Sequence, residues 1–158
     1  MFRKKEIDNT NYEKSVGSVL IKDNKVLLAR HTYGAGNNLL IILGGYIEKG
    51  ESPEQAIIRE YVEETSVEIK PISLIGVRFN MHDWYAVFKV EYISGTPESD
   101  GNESSEVIWL DIEEALNRDD VADLSKSLIR CALTDNSMEI KEYKASEKWA
   151  PQSFYGCK

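Results

Sequence analysis

The stretch from Gly44 to Glu68 constrains this chain more than any other part of its sequence. It reads GGYIEKGESPEQAIIREYVEETSVE and holds seven glutamates against one lysine and one arginine, so its net charge is −5, where the whole chain of 158 residues carries −8. Carboxylates this close together on a helix repel one another, by roughly a few tenths of a kcal/mol for each close pair. The sequence therefore predicts that something else neutralises this charge.

A helix is predicted to begin inside this stretch, at Pro53. Ser52 is a good N-cap, and Pro53 occupies a first position where its missing N–H costs nothing. Gln55, at the third helical position, completes a Ser-x-x-Gln capping box.

Around this helix, at about 100° per residue, Glu60, Glu63 and Glu64 fall in one sector. The opposite sector is predicted to pack against the core, and it holds Ile58, Tyr61, Val62 and Thr65. Hard divalent cations such as Mg²⁺ and Mn²⁺ take carboxylate, carbonyl and water oxygens. The carboxylates are thus explained by metal binding or by a solvated acidic face with a structural role only, and taken alone they leave both readings open.

Strands are predicted on both sides of this helix. Before it lie residues 15–21 and 25–30, joined by the hairpin turn Lys22-Asp23-Asn24, and a short buried strand, 39–43, that leads to a turn at Gly44-Gly45. After it come strands 67–80, 84–94 and 106–110, a short helix 112–117 that Asp111 caps, and an amphipathic helix within 121–133. This order predicts an α/β fold of the α+β kind, with a mixed sheet covered by helices.

The composition fits one globular domain over residues 1–158, with a polar lead-in at 1–14 and a tail at 135–158 whose order the sequence leaves open. The isoelectric point near 4.9 argues against binding to a nucleic acid polymer or an anionic membrane, since both need clustered Lys and Arg. No apolar run is long enough to cross a bilayer. Cys131 and Cys157 show no disulfide or metal spacing, which favours a reducing, cytoplasmic setting.

The spacing of Gly45, Glu51, Arg59-Glu60 and Glu63-Glu64 resembles the Nudix box of the Nudix hydrolases, over residues 45–67. Three positions depart from that pattern without removing a carboxylate: Ser66 stands where glycine is usual, Tyr61 where a smaller aliphatic residue is usual, and Leu43 where proline commonly precedes the two glycines. Ser66 is therefore expected to adopt a left-handed conformation after the helix, which costs about 1 kcal/mol for a residue with a Cβ. The resemblance implies a Nudix-like α/β/α sandwich, with the box helix against the mixed sheet.

The resemblance also implies an activity. It would be metal-dependent hydrolysis of the phosphoanhydride bond of a nucleoside diphosphate linked to another moiety, giving a nucleoside monophosphate, with Mg²⁺ or Mn²⁺ as cofactor. Carried over position by position, the metal ligands would be Glu60, Glu63, Glu64 and the backbone of Gly44 or Gly45, Glu60 would also activate water, and Arg59 would pair with Glu51. The alternative is a Nudix-like module that senses a nucleotide without cleaving it.

Residues outside the box are expected to complete the site. Family members often recruit one more acid from a loop, and Glu103 is the candidate here, with Glu106 behind it. The side chains suited to gripping phosphate or stacking on a base are Arg30, Arg78 and Tyr85, followed by His31, Tyr33, His82 and Trp84.

The expected partner is a small-molecule nucleotide, and a homodimer is left open. The proline associated with ADP-ribose hydrolysis is absent, since residue 83 is Asp, and Tyr85 lies near the tyrosine associated with diadenosine polyphosphate hydrolases. The physiological substrate is therefore not determined by the sequence.

Overall fold

The structure is a computed structural model, and it describes residues 13–34, 37–102, 104–144, 146–149 and 152–157. Most of the predicted lead-in therefore lies outside the described residues. The strands are β1 (Glu13–Lys22), β2 (Lys25–His31), β3 (Leu40–Ile41), β4 (Gly44–Tyr46), β5 (Glu68–Phe79), β6 (Asp83–Ser94), β7 (Ser104–Asp111), β8 (Met138–Ile140) and β9 (Tyr155–Gly156). The helices are α1 (Pro53–Thr65), α2 (Ile112–Asn117) and α3 (Asp123–Ala132), with a 3₁₀ turn at Glu147–Trp149.

These described strands form one mixed sheet in the order β3-β2-β1-β6-β5-β8-β9, with β4 also paired to β1 and β7 to β2. β1 and β6 run parallel, and the other strand ladders are antiparallel. The predicted hairpin between β1 and β2 is present. Asp23 and Asn24 both adopt positive φ, 52° and 61°, as a tight two-residue hairpin turn requires.

β1 changes partners along its length, and this creates the edge on which the site is built. Its end pairs with β2, whereas Val16 and Gly17 pair with Gly45 and Gly44 of β4. The predicted turn at Gly44-Gly45 is thus wrong, because both residues lie in a strand. A Cβ at Gly44 would collide with the carbonyl oxygen of Val16, so glycine is needed there for the close approach of the two backbones.

Two helical layers cover the sheet, which confirms the predicted α/β/α arrangement. On one face, Ile57 and Tyr61 of α1 pack with Val16, Leu20 and Phe88. On the other face, α2 and α3 cover a second apolar cluster that includes Val19, Val87, Leu110, Ala115, Leu128 and Ile129. α3 begins at Asp123 rather than at the predicted Val121, because Val121 forms an isolated bridge with Leu40.

The predicted packing face of α1 is partly wrong. Ile58 and Val62 are 38% and 47% exposed, whereas Glu60 and Glu64 are only 8% and 6% exposed. The residues that pack are Ala56, Ile57, Tyr61 and Thr65. The helix is therefore rotated so that two of its carboxylates are buried instead of facing solvent.

Parts of the tail extend the sheet. β8 pairs with β5 through Ser73 and Glu139, and β9 pairs with β8 through Tyr155 and Ile140. Within the described ranges, no helix has the length and apolarity needed to cross a membrane.

Candidate active site

A cavity of about 620 Å³ opens between α1, the β1–β4 edge and the start of α3. Its walls include four glutamates, Glu48, Glu60, Glu63 and Glu64, and two cations, Arg59 and Arg78. Other lining groups are Ser15, His31, Tyr33, Gly44, Gly45, Tyr46, Asp83, Tyr85 and Ser125. The cavity is thus acidic along the box helix and mixed in charge on its other walls.

Both ends of α1 form as the local sequence predicts. Ser52 Oγ accepts a 3.1 Å hydrogen bond from the backbone N–H of Gln55, and Gln55 Oε1 accepts a 2.8 Å bond from the N–H of Ser52, so the capping box is complete. At the other end Ser66 has φ 63°, and its N–H bonds the carbonyl of Val62. The left-handed residue expected after the helix is therefore Ser66.

Arg59 holds the acidic side of the site together. Its guanidinium donates to both carboxylate oxygens of Glu51, at 2.6 and 3.0 Å, and to the carbonyl of Tyr46 at 3.0 Å. It also bonds Glu60 at 2.9 Å and Glu63 at 3.2 Å. The hydrogen bond from Arg59 holds the pKa of Glu51 below its ordinary value of 4.5, and the Glu51 carboxylate in turn raises the pKa of Arg59.

Glu60 and Glu64 are both buried, and Glu60 lies against β4. A Cβ at Gly45 would collide with the carboxyl group of Glu60, so the glycine provides the space that this carboxylate occupies. Beside them, the hydroxyl of Tyr61 accepts a 2.7 Å hydrogen bond from Ser18 Oγ, and burial raises the pKa of Tyr61. The larger residue at this box position therefore fills the core and has a polar partner there.

The acidic side chains suit a hard divalent cation by their chemistry, since all are oxygen donors. As the side chains stand, no group of three acidic, histidine or cysteine side chains among the described residues is placed to hold a metal ion. The side chain of Glu63, which is 59% exposed, is instead paired with Arg59 at 3.2 Å.

The wall formed by the ends of β5 and β6 carries a second polar cluster. Arg78 donates to the two oxygens of Asp83 at 2.6 and 3.4 Å, and Ser15 Oγ donates to Asp83 at 2.6 Å. The guanidinium carbon of Arg78 lies 5.3 Å from the ring centroid of Tyr85. Asp83 and Ser15 were not among the predicted site residues, although Asp83 stands five positions after Arg78 across a hairpin turn.

At the cavity mouth the rings of His31 and Tyr33 stack, with centroids 5.5 Å apart and planes at 27°. Both residues were candidates from the sequence for stacking on a base, and both line the cavity. The other two aromatic or histidine candidates, His82 and Trp84, do not line it and are exposed.

Two predicted site residues are not brought to the cavity. Arg30 donates to Glu106 at 3.1 Å, to Asp120 at 3.0 Å and to the carbonyl of Asn38 at 2.7 Å, which ties β2 to β7 and to the segment before α3. None of these four residues lines the cavity. Glu106 is therefore paired with Arg30. Glu103 lies outside the described residues.

Known proteins with similar sequences point to one family. The family model described as "NUDIX domain" matches residues 11–131. The NAD-capped RNA hydrolase NudC of Vibrio atlanticus is 29% identical over 119 residues, which cover 72% of this chain and 42% of that protein. The ADP-ribose pyrophosphatase of Methanocaldococcus jannaschii is 31% identical over 104 residues, 62% of this chain and 61% of that protein. The chain thus spans less than half the length of the NudC relative.

Solved structures show the same fold. The MutT NUDIX hydrolase from Burkholderia pseudomallei superposes with a TM-score of 0.69 at 17% identity, over 78% of this chain and 98% of that one. The NUDIX domain of Shewanella oneidensis NrtR, complexed with ADP ribose, gives a TM-score of 0.66 at 22% identity, over 77% and 86%. With the family model matched over most of its length and the box helix set against a mixed sheet, this chain belongs to the NUDIX family.

Proposed function

We propose that this chain is a pyrophosphohydrolase that depends on Mg²⁺ or Mn²⁺ and cleaves the phosphoanhydride bond of a nucleoside diphosphate linked to another moiety. The observation that carries the proposal is the burial of Glu60 and Glu64 in the lining of the cavity, with Glu60 beside Gly45 of β4. Buried carboxylates are costly unless they are paired or coordinate a metal. Their placement at a cavity wall supports a chemical role over a solvated acidic face.

The charge balance of this wall also supports a bound cation. Arg59 is the one positive group in ion pairs with four carboxylates among the described residues, those of Glu48, Glu51, Glu60 and Glu63. The residues that would hold the cation are Glu60, Glu63, Glu64 and the carbonyl of Gly45 or Gly44. When bound, the metal would clamp the diphosphate and stabilise the charge that develops on its oxygens.

The chain's own residues would then orient the reactants. A water molecule attacks one phosphorus, the bond from that phosphorus to the bridging oxygen breaks, and the products are a nucleoside monophosphate and the phosphorylated second moiety. Glu60 would accept the proton of the attacking water, with Glu103 as the other candidate base. Arg59 would act indirectly, because its bonds to Glu51 and the Tyr46 carbonyl fix α1 against β4.

A small nucleotide is the substrate class that the cavity supports. The stacked His31 and Tyr33 at the mouth suit a flat base, and Arg78 and Tyr85 line the same cavity. ADP-ribose is the first compound to test, because one relative is an ADP-ribose pyrophosphatase and one structural neighbour holds ADP ribose. The net charge of −8 disfavours a long RNA substrate. The free cysteines Cys131 and Cys157 fit a cytoplasmic enzyme.

A second candidate function is nucleotide binding without cleavage. It is favoured by one structural neighbour, the NUDIX domain of Shewanella oneidensis NrtR, which was solved in complex with ADP ribose. In that case the protein would bind ADP-ribose with equal affinity in Mg²⁺ and in EDTA and would release no product.

The deciding experiment is a product-release screen with Mg²⁺, with Mn²⁺ and with EDTA. Its substrates are ADP-ribose, nucleotide sugars, dinucleoside polyphosphates and nucleoside triphosphates. We expect cleavage of at least one class in metal and none in EDTA. Absence of metal-dependent cleavage by the folded protein across the whole panel would contradict the proposal and leave the binding function.

A further inference from the structure

The cluster formed by Ser15, Arg78, Asp83 and Tyr85 lies outside the box helix and draws on three neighbouring strands. β6 runs between β1 and β5, and Tyr85 is in register with Ser15 on one side and Arg78 on the other. Asp83, at the start of β6, therefore reaches both neighbours. All four residues line the cavity.

Asp83 is itself held firmly in place. Ser15 Oγ donates to it at 2.6 Å, and the side-chain oxygen of Asn80 accepts its backbone N–H at 2.8 Å. Burial alone would raise the pKa of Asp83, but hydrogen bonds from Ser15 and Arg78 outweigh burial and hold that pKa below its ordinary value. Asp83 is therefore a charged, rigid acceptor at neutral pH.

The ring of Tyr85 provides the second support for Arg78. A Cβ at Gly17 would collide with the hydroxyl of Tyr85, so Gly17 gives this side chain its space beneath the guanidinium group. Tyr85 also packs against the apolar cluster under α3. With its face on Tyr85 and one edge on Asp83, the guanidinium has little freedom to rotate.

The two arginines that line the cavity differ in how far their N–H donors are already hydrogen-bonded. Arg59 is engaged by Glu51, Glu60, Glu63 and the Tyr46 carbonyl. In the described part of the chain, Arg78 is hydrogen-bonded by Asp83 alone, and its side chain is about a third exposed, 30%. A guanidinium carries more N–H donors than one carboxylate uses, so Arg78 has donors available to a ligand in the cavity.

We propose that Asp83, braced by Ser15, is a positioning residue that orients Arg78 so that its remaining N–H groups bind a phosphate oxygen of the substrate. This inference rests on the proposed function, since it takes a nucleoside diphosphate as the ligand. It assigns Asp83 a role in substrate affinity and none in the chemical step.

Replacing Asp83 with asparagine separates positioning from simple neutralisation. If Asp83 merely offsets the charge of Arg78, D83N makes the net charge of the cluster more positive and tightens the binding of an anionic ligand. If Asp83 positions Arg78, D83N loosens the guanidinium and weakens binding. The two roles predict opposite signs.

The experiment measures the Kd of ADP-ribose by calorimetry in EDTA, and KM and kcat for the best substrate in Mg²⁺. We expect D83N and Arg78→Lys each to raise Kd and KM roughly tenfold, the size expected for one charge-assisted hydrogen bond, with kcat within about twofold. Ser15→Ala should raise both by a smaller factor, and it serves as the test if D83N does not fold. In the R78K background D83N should add nothing, because Asp83 acts through Arg78.

The matched control is Asp120→Asn, which also removes a carboxylate that holds arginines, Arg30 and Arg118, but outside the cavity. It should lower Tm and leave Kd and KM unchanged. An unchanged or lower Kd in D83N would overturn the inference. It would also be overturned if the effects of D83N and R78K on Kd were additive in the double variant.

The outcomes also separate this inference from the proposed hydrolysis. Turnover by the wild type with an unchanged KM in D83N overturns the role of Asp83 and leaves the hydrolase standing. Wild type that binds ADP-ribose without turnover, with weaker binding in D83N, overturns hydrolysis and supports Asp83. Wild type that neither turns over any substrate nor binds ADP-ribose overturns both.

Discussion

The hydroxyl of Tyr155 donates a 2.7 Å hydrogen bond to Oε1 of Glu54, in the first turn of α1. The ring of Tyr155 also meets Phe88 edge to face, with centroids 5.6 Å apart. Tyr155 lies in β9, beyond the part of the chain that the NUDIX model matches. A segment outside the family match is thus anchored to the helix that carries the candidate catalytic carboxylates.

Tyr155→Phe is expected to lower the free energy of unfolding by about 1–2 kcal/mol, because the bond joins a part-buried hydroxyl to a carboxylate. Burial and the nearby Glu54 carboxylate raise the pKa of Tyr155, so the hydroxyl remains a donor at neutral pH. Urea unfolding measures the change. The control is Tyr143→Phe, whose hydroxyl pairs with Gln152 at the surface, and an equal loss in that variant would argue against a special role for the Glu54 bond.

The two glycines of β4 should fail in different ways when replaced by alanine. At Gly44 the added Cβ meets the backbone of β1, which cannot move easily, so Gly44→Ala should cost about 1–3 kcal/mol of stability. At Gly45 the atoms nearest the added Cβ belong to the carboxyl end of the Glu60 side chain, which can shift more easily than a backbone. Gly45→Ala should therefore stay folded and lose activity.

Thermal unfolding and kcat measured on both glycine variants check this contrast. Loss of stability in Gly45→Ala equal to that in Gly44→Ala, or full activity in Gly45→Ala, would show that Glu60 does not need the space beside β4.

Removing single carboxylates should affect turnover far more than folding. Glu60→Gln and Glu63→Gln are each expected to lower kcat by about 10²-fold or more, the size typical of positioned acid–base and metal groups. Glu113→Gln, an exposed change in α2, is the matched control and should be neutral. Steady-state kinetics at saturating Mg²⁺, with Mg²⁺ titrations of each variant, measure the change in kcat. If Glu60→Gln kept the wild-type kcat, Glu60 would have no catalytic role.

Features that depend on neighbours in sequence could be predicted from the sequence. The capping box of Ser52 and Gln55, the left-handed Ser66 and the Asp23-Asn24 turn all arise from bonds or torsions within a few residues. The resemblance of the box also implied the Arg59–Glu51 ion pair, which the structure contains.

Features that depend on distant parts of the chain could not be predicted in this way. The helical period places Ile58 and Val62 opposite the acids, but in the fold Glu60 and Glu64 are buried and the two aliphatic residues are exposed. Gly45 of β4, distant in sequence, provides the space for the Glu60 carboxylate. Arg30 was predicted to bind substrate because its side chain is suited to gripping phosphate. Its partners Glu106 and Asp120 lie 76 and 90 positions away in sequence, and only the fold brings them to it.

The ion pair between Glu51 and Arg59 should give stability that depends on pH. The hydrogen bond from Arg59 lowers the pKa of Glu51 in the folded state below 4.5, so between the folded and unfolded values the unfolded chain binds more protons. The stabilisation is therefore fully present above pH 4.5 and is lost as the pH falls through the lowered value.

Urea unfolding of wild type and Glu51→Gln across this range tests the assignment. The difference in stability between the two proteins should be largest near neutral pH and shrink in acid. A difference that stays constant with pH would mean that Glu51 contributes through packing or neutral hydrogen bonds and not through its charge.

Ser66→Gly should stabilise the protein, because Ser66 holds φ at 63° where a residue with a Cβ is strained. Glycine adopts this conformation without that strain, and we expect a gain of about 0.5–1 kcal/mol after its larger entropy in the unfolded chain is counted. The control is Ser127→Gly, an exposed position inside α3, where glycine should instead cost about 0.5 kcal/mol. Opposite signs in the two variants, measured by thermal unfolding, would identify the left-handed backbone at Ser66 as the cause, and a loss in both would contradict it.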